Sequence, residues 1–206
     1  LHKEYRRQRQ MCIRDSPNTN LADQLKMVAR LIRGRTALGV KRQVFFVSMG
    51  GFDLHDDIDT KHGPLMERLS GAMAAFQAQM DAWSLSENVT AFTASDFGRT
   101  LSSNGNGSDH GWGSHHFVMG GAVKGKALYG TPPPVSVGNS SADEDQWHVG
   151  QGRLLPTTSV DQYAATLARW FGVPDADLNA ILPNLRNFGL TAPSGIAYPR
   201  DIGFMK

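Results

Sequence analysis

Apolar residues recur along this chain in two alternating rhythms. From Leu21 onward, Leu21, Leu25, Val28, Leu31 and Ile32 follow at three- and four-residue steps, which puts them on one face of an amphipathic helix. Asn20 stands where a cap is expected and Gly34 where the helix should stop. The run QVFFVSM at 43–49 is nearly all apolar and rich in β-formers, as a strand covered on both faces would be. A second helical stripe, Leu65, Leu69, Met73, Phe76, Met80 and Trp83, begins behind Pro64, a residue suited to a first helical turn. NVTAFTAS at 88–95 predicts another strand. Helix, strand, helix, strand is the order of a layered α/β domain with a largely parallel sheet.

Between Asp96 and His116 no helical period appears, and HFVMGGAV at 116–123 predicts a third strand. A parallel neighbour needs a crossover, so a connection without a helix implies that this strand runs antiparallel or lies further along the sheet. Residues 130–158, with Pro132-Pro133-Pro134 and scattered Gly and Ser, predict a long surface excursion. A helix over 160–171 follows, capped by Thr158 or Ser159 and stopped by Gly172 and Pro174, then a short one from Asp175 to Leu182. Residues 191–206 predict an irregular tail.

Composition changes the picture at the N-terminus. Residues 1–16, LHKEYRRQRQMCIRDS, match one reading frame of a transposon adapter used in sequencing libraries, and are expected to be an artefact outside the fold. The chain carries 21 Lys and Arg against 19 Asp and Glu; without the five basic and two acidic residues of 1–16 the balance is 16 against 17. The apparent basicity therefore implies no nucleic-acid or membrane-surface partner. Cys12, the single cysteine, lies in the same segment, which leaves 17–206 without a disulfide or thiolate chemistry. The remaining length suits one α/β domain over 17–190. No run of 18 apolar residues is present to span a membrane.

Polar chemistry clusters behind the strands. In GGFDLHDD at 50–57, Asp53 and His55 are two residues apart, and an extended backbone sends both side chains the same way. Together they suit half of a Zn or Mn site, or an aspartate capping a turn beside a solvated histidine. SDFGRT at 95–100 follows the second strand, the position where open α/β sheets build sites. Asp96 there is a metal ligand or a turn cap, and Arg99 a clamp for an anionic ester or the partner of a surface carboxylate. GSDHGWGSHHF at 107–117 brings Asp109-His110 in a loop and His115-His116 at a strand entry, where neighbours point to opposite faces. An antiparallel third strand would bring these groups to one sheet edge. Lys124 and His148 read as an exposed lysine and a loop histidine, and the sequon at Asn88 falls inside a strand. No dinucleotide fingerprint, phosphate-binding lysine loop or nucleophile elbow occurs.

In this order, GGFDLH, SDFGRT, DHGWG, HHFVMGGAVKG and PTTSVDQYAATLARWFG resemble the bacterial family called domain of unknown function 1501, over about Leu21 to Phe188. That resemblance implies membership of the alkaline phosphatase-like superfamily: a three-layer α/β/α sandwich with a mostly parallel mixed sheet, here incomplete at the N-terminus, and a site holding divalent metals. It also implies export to the periplasm through a twin-arginine signal preceding this chain. Asp53 and His55 are candidates for the superfamily's first Asp and His, at closer spacing than usual. Asp96 matches the next aspartate, while Phe97 stands where a histidine would be; His110, His115 or His116 completes the set. The resemblance places the nucleophile nearer the N-terminus than this chain reaches. The expectation is therefore a metal-dependent hydrolase-like domain for small phosphate or sulfate esters, with Zn or Mn as the metal. Its ligands would be Asp53, Asp96 and His110, with His55 and His116 as additional ligands or as hydrogen-bond partners of the ligands, and Arg99 on the anionic group. The alternative is an exported binding or scaffold protein that keeps the fold without the chemistry, which Phe97 favours.

Overall fold

The computed structural model describes residues 20–136, 138, 140–192, 195 and 197–206; the expected adapter segment 1–16 lies outside them. Among the described residues the chain forms four α-helices and two small antiparallel sheets of two strands each. It divides into two compact units. The first runs to Ala91 and takes back Asn104–Ser108; the second comprises Phe92–Ser103 and Asp109–Lys206.

The first unit is built on two helices, α1 (Asn20–Arg33) and α2 (Ile58–Ala82). The helical stripe read from the sequence becomes the buried face of α1, with Leu21, Leu25, Val28 and Ile32 inside and Leu31 exposed. They meet Ala72, Phe76 and Met80 of α2 in one core. Burying a side chain such as Phe76 or Met80 contributes about 1.5–3 kcal/mol. Asn20 is the first helical residue, and its side chain accepts from Gln24 at 2.9 Å. Helix α2 starts six residues before Pro64, behind Asp57, which adopts a left-handed backbone at φ 49°. That conformation is held by the Asp57 carboxylate, which accepts from Asn106 Nδ2 at 3.1 Å and pairs with Lys61 at 3.1 Å.

The run 43–49 shows why no parallel sheet forms. Phe45, Val47 and Met49 pack on the helical core, whereas Val44 and Phe46 are 78% and 92% exposed. It has the alternation of a strand covered on one face, and it joins no ladder among the described residues. At Ser48 the Gln24 side-chain amide stands in for a neighbouring strand, accepting from the Ser48 N–H at 2.9 Å and donating to its carbonyl at 2.8 Å.

The expected three-layer α/β/α sandwich with a mostly parallel sheet is therefore corrected. A parallel sheet needs both faces covered and each strand paired, and this chain meets neither condition at 43–49. The expected strand over 88–95 shortens to β1 (Thr90–Phe92), and that over 116–123 to β4 (Val118–Gly120), with which β1 pairs. The intervening stretch becomes a hairpin of β2 (Gly98–Ser103) and β3 (Ser108–Gly111).

In the second unit, α3 (Val160–Phe171) follows its sequence signals closely. The Ser159 hydroxyl accepts from the Gln162 N–H at 3.2 Å while the Ser159 N–H donates to Gln162 Oε1 at 2.9 Å, a reciprocal cap. Gly172, at φ 99°, closes the helix. A short helix α4 (Asp175–Ile181) follows, and Leu178 packs with Ala165 and Leu185. Near the chain end Phe204 and Met205 are buried against Ala122 and Leu167. No helix among the described residues is long and apolar enough to cross a membrane.

Candidate functional site

Local backbone pairing positions the polar residues of the first unit. The loop Asn104–Ser108 docks on residues 54–58 through the Ser108 N–H to the Leu54 carbonyl and the Ile58 N–H to the Asn106 carbonyl, both at 3.2 Å. Asn104 Nδ2 also donates to the His55 carbonyl at 3.1 Å. Gly107 permits this approach, because a Cβ there would lie 2.4 Å from the His55 carbonyl carbon. The backbone around His55 is thus fixed from outside its own segment. Within it, Asp53 Oδ1 lies 3.0 Å from His55 Nε2, and each side chain is about half exposed. The structure brings these two sequence-predicted residues together.

The chemistry of that donor set fits a divalent metal. A carboxylate oxygen and an imidazole nitrogen are the donors that Zn accepts, and on one tetrahedral ion at about 2.1 Å they would stand about 3.4 Å apart. The observed 3.0 Å needs only a few tenths of an ångström of side-chain movement.

The remaining sequence-predicted residues lie in the second unit. Asp96 is exposed in the bend after β1. Phe97 stacks on the His110 ring with centroids 3.8 Å apart and planes 17° from parallel. The Arg99 guanidinium carbon lies 5.9 Å from the Phe97 centroid, within reach of a cation–π contact. Phe97 is therefore a platform contacted by two of the predicted site residues. Close backbone approach underlies the hairpin that carries them: a Cβ on Gly98 would lie 1.7 Å from the Gly113 carbonyl oxygen, and one on Gly111 would lie 2.6 Å from that of Arg99.

His116 has different company. Its Nδ1 is 3.3 Å from Thr93 Oγ1, and its ring stacks with Tyr163 at 5.9 Å. Burial, and then the neighbouring His115, lower its pKa below the usual histidine value, which favours the neutral imidazole. Burial also pushes the Tyr163 phenol well above its ordinary range. Thr93 escaped sequence reasoning: a threonine late in an apolar strand reads as a β-former, and only its pairing with His116 gives it chemical interest. Of the residues left without a role, His148 Nε2 accepts from the Gly152 N–H at 2.7 Å and Lys124 donates to the Gly203 carbonyl at 3.1 Å. Both contacts are structural.

Residues 1–182 match the model of a family described as "Protein of unknown function (DUF1501)". No curated protein and no solved structure matches the chain.

Proposed function

The chain belongs to the DUF1501 family, whose description names no activity, and we propose that it is a metal-dependent hydrolase-like domain acting on small phosphate or sulfate esters. One observation carries this reading: Asp53 and His55 place an oxygen and a nitrogen donor 3.0 Å apart on a backbone pinned by the Asn104–Ser108 loop. These two residues would hold a divalent ion, Zn or Mn. Such an ion supplies Lewis acidity, lowering the pKa of bound water and neutralising charge on ester oxygens. The chain's own contribution is orientation: the carboxylate fixes the imidazole, and the docked loop fixes both. Asp96 and His110 are further ligands by resemblance, and Arg99 a binder of the anionic group. Kinship with alkaline phosphatase-like hydrolases and a periplasmic location belong to the same proposal.

The test is hydrolysis of p-nitrophenyl phosphate and p-nitrophenyl sulfate by the full chain, with Zn or Mn and then with chelator. With water in place of the side-chain nucleophile that the resemblance puts outside this chain, we expect turnover that chelator abolishes and that His55→Ala, Asp96→Ala and His110→Ala each reduce. Metal-independent turnover, or none with either ester, contradicts the reading. A second reading, a non-catalytic binding protein, draws on Phe97, which by the superfamily resemblance stands where a histidine ligand would be and whose ring stacks on His110. It expects metal-free chain and no turnover of either ester.

A further inference from the structure

At the end of β1 a hydroxyl and an imidazole meet in a way that the Asp53–His55 donor pair does not use. Thr93 Oγ1 accepts the Phe117 N–H at 2.9 Å and lies 3.3 Å from His116 Nδ1. The Phe117 amide takes one lone pair of the oxygen, and with the imidazole proton on Nε2 the Thr93 hydroxyl donates to Nδ1, the tautomer a nucleophile–base pair requires. Tyr163 holds both partners: its ring stacks on His116, and its hydroxyl donates to the Thr93 carbonyl at 3.2 Å. A nucleophile, a base and a group that orients the base are the parts of an activated hydroxyl.

Two neighbouring features extend the arrangement. The backbone N–H groups of Ala94 and Ser95, next along the chain, donate to no backbone carbonyl among the described residues. Amides following a nucleophile commonly receive the negative charge that develops on a carbonyl oxygen. Phe92 and Phe117 flank Thr93 and His116 in sequence and are 48% and 49% exposed; Phe92 also meets Tyr163 edge-on at 6.0 Å. They offer an apolar surface beside the hydroxyl.

We propose that Thr93 and His116 form a nucleophile–base pair that hydrolyses uncharged carboxylic esters with apolar acyl groups. The Thr93 Oγ–H proton passes to His116 Nδ1 as Oγ bonds the ester carbonyl carbon. The tetrahedral intermediate collapses, the bond to the alcohol oxygen breaks, and the alcohol leaves with the proton from His116. Water, deprotonated by the same imidazole, then attacks the acyl-threonine, releasing the carboxylic acid and restoring Thr93. The pair needs no metal, so it stands or falls separately from Asp53 and His55.

The full chain in chelator is treated with p-nitrophenyl butyrate and, separately, with a fluorophosphonate probe, and the modified peptide is located by mass spectrometry. The probe should form an O–P bond at Thr93 with loss of fluoride, and Thr93→Ser should still be labelled. Thr93→Ala and His116→Gln should lower butyrate hydrolysis by about 100-fold, the scale of a lost nucleophile or general base. An adduct on another residue, no adduct above a heat-denatured control, or wild-type hydrolysis by folded Thr93→Ala overturns the proposal. If Thr93→Ala loses its far-ultraviolet dichroism, the adduct position in wild type and the His116→Gln rate decide.

Discussion

His55 in the first unit and His116 in the second each have an oxygen side chain at close range, 3.0 and 3.3 Å, yet the two neighbourhoods differ in the partner and in what supports it. His55 faces a carboxylate, is half exposed, and owes its place to a backbone clamped by the Asn104–Ser108 loop. His116 faces a hydroxyl, and its place is set by side chains: the Tyr163 ring and the Thr93 oxygen that caps the Phe117 amide. A carboxylate beside an imidazole makes a metal donor pair; a hydroxyl beside a neutral imidazole makes an acid–base pair. The difference teaches that the partner and the support of a histidine, rather than its membership of a histidine-rich stretch, decide what it can do.

The comparison breaks most visibly at two glycines. Gly107→Ala would drive a Cβ into the His55 backbone, and Gly98→Ala would drive one into Gly113. Each should cost about 1–3 kcal/mol or more by overpacking, read as a shift in denaturation midpoint. The first should abolish Zn binding and spare probe labelling at Thr93. If both variants damage both functions alike, the two neighbourhoods are not separately supported.

How much of this was legible in the sequence depends on how local the signal was. Helices α1 and α3 announced themselves through periodicity, Ser159 and Gly172, because capping and amphipathicity are set within a few residues. The sheet did not. The strand rhythm at 43–49 is present as alternating burial, but pairing is a long-range property that a single run cannot encode. Asp53 and His55 were readable as a pair because they sit two residues apart. Thr93 was not, since its partner is 23 residues away. Gly98, Gly107 and Gly111 looked like loop filler until the backbones they approach were known.

Smaller effects sharpen the contrast. Ser159→Ala removes the reciprocal cap of α3, the helix that carries Tyr163, and should cost about 1 kcal/mol. It should slow probe labelling at Thr93 without changing Zn affinity. The smallest effect is alkaline. With the folded Tyr163 phenol raised by burial above its unfolded value of about 10, the unfolded chain loses that proton first. Tyr163 therefore contributes stability that is fully present below pH 10 and is lost as pH rises toward the folded value. Tyr163→Phe should flatten the fall in thermal midpoint above pH 10, and an unchanged slope would remove Tyr163 as its source.

The central claim, that Asp53 and His55 are a ligand pair, is tested most directly by titrating Zn into the metal-stripped full chain and into Asp53→Asn by calorimetry. The account predicts saturable binding by the wild type and an affinity lower by at least about tenfold in the variant, the scale of a lost coordinating or orienting carboxylate. Equal affinity in the two chains, or no binding by the wild type, would contradict it.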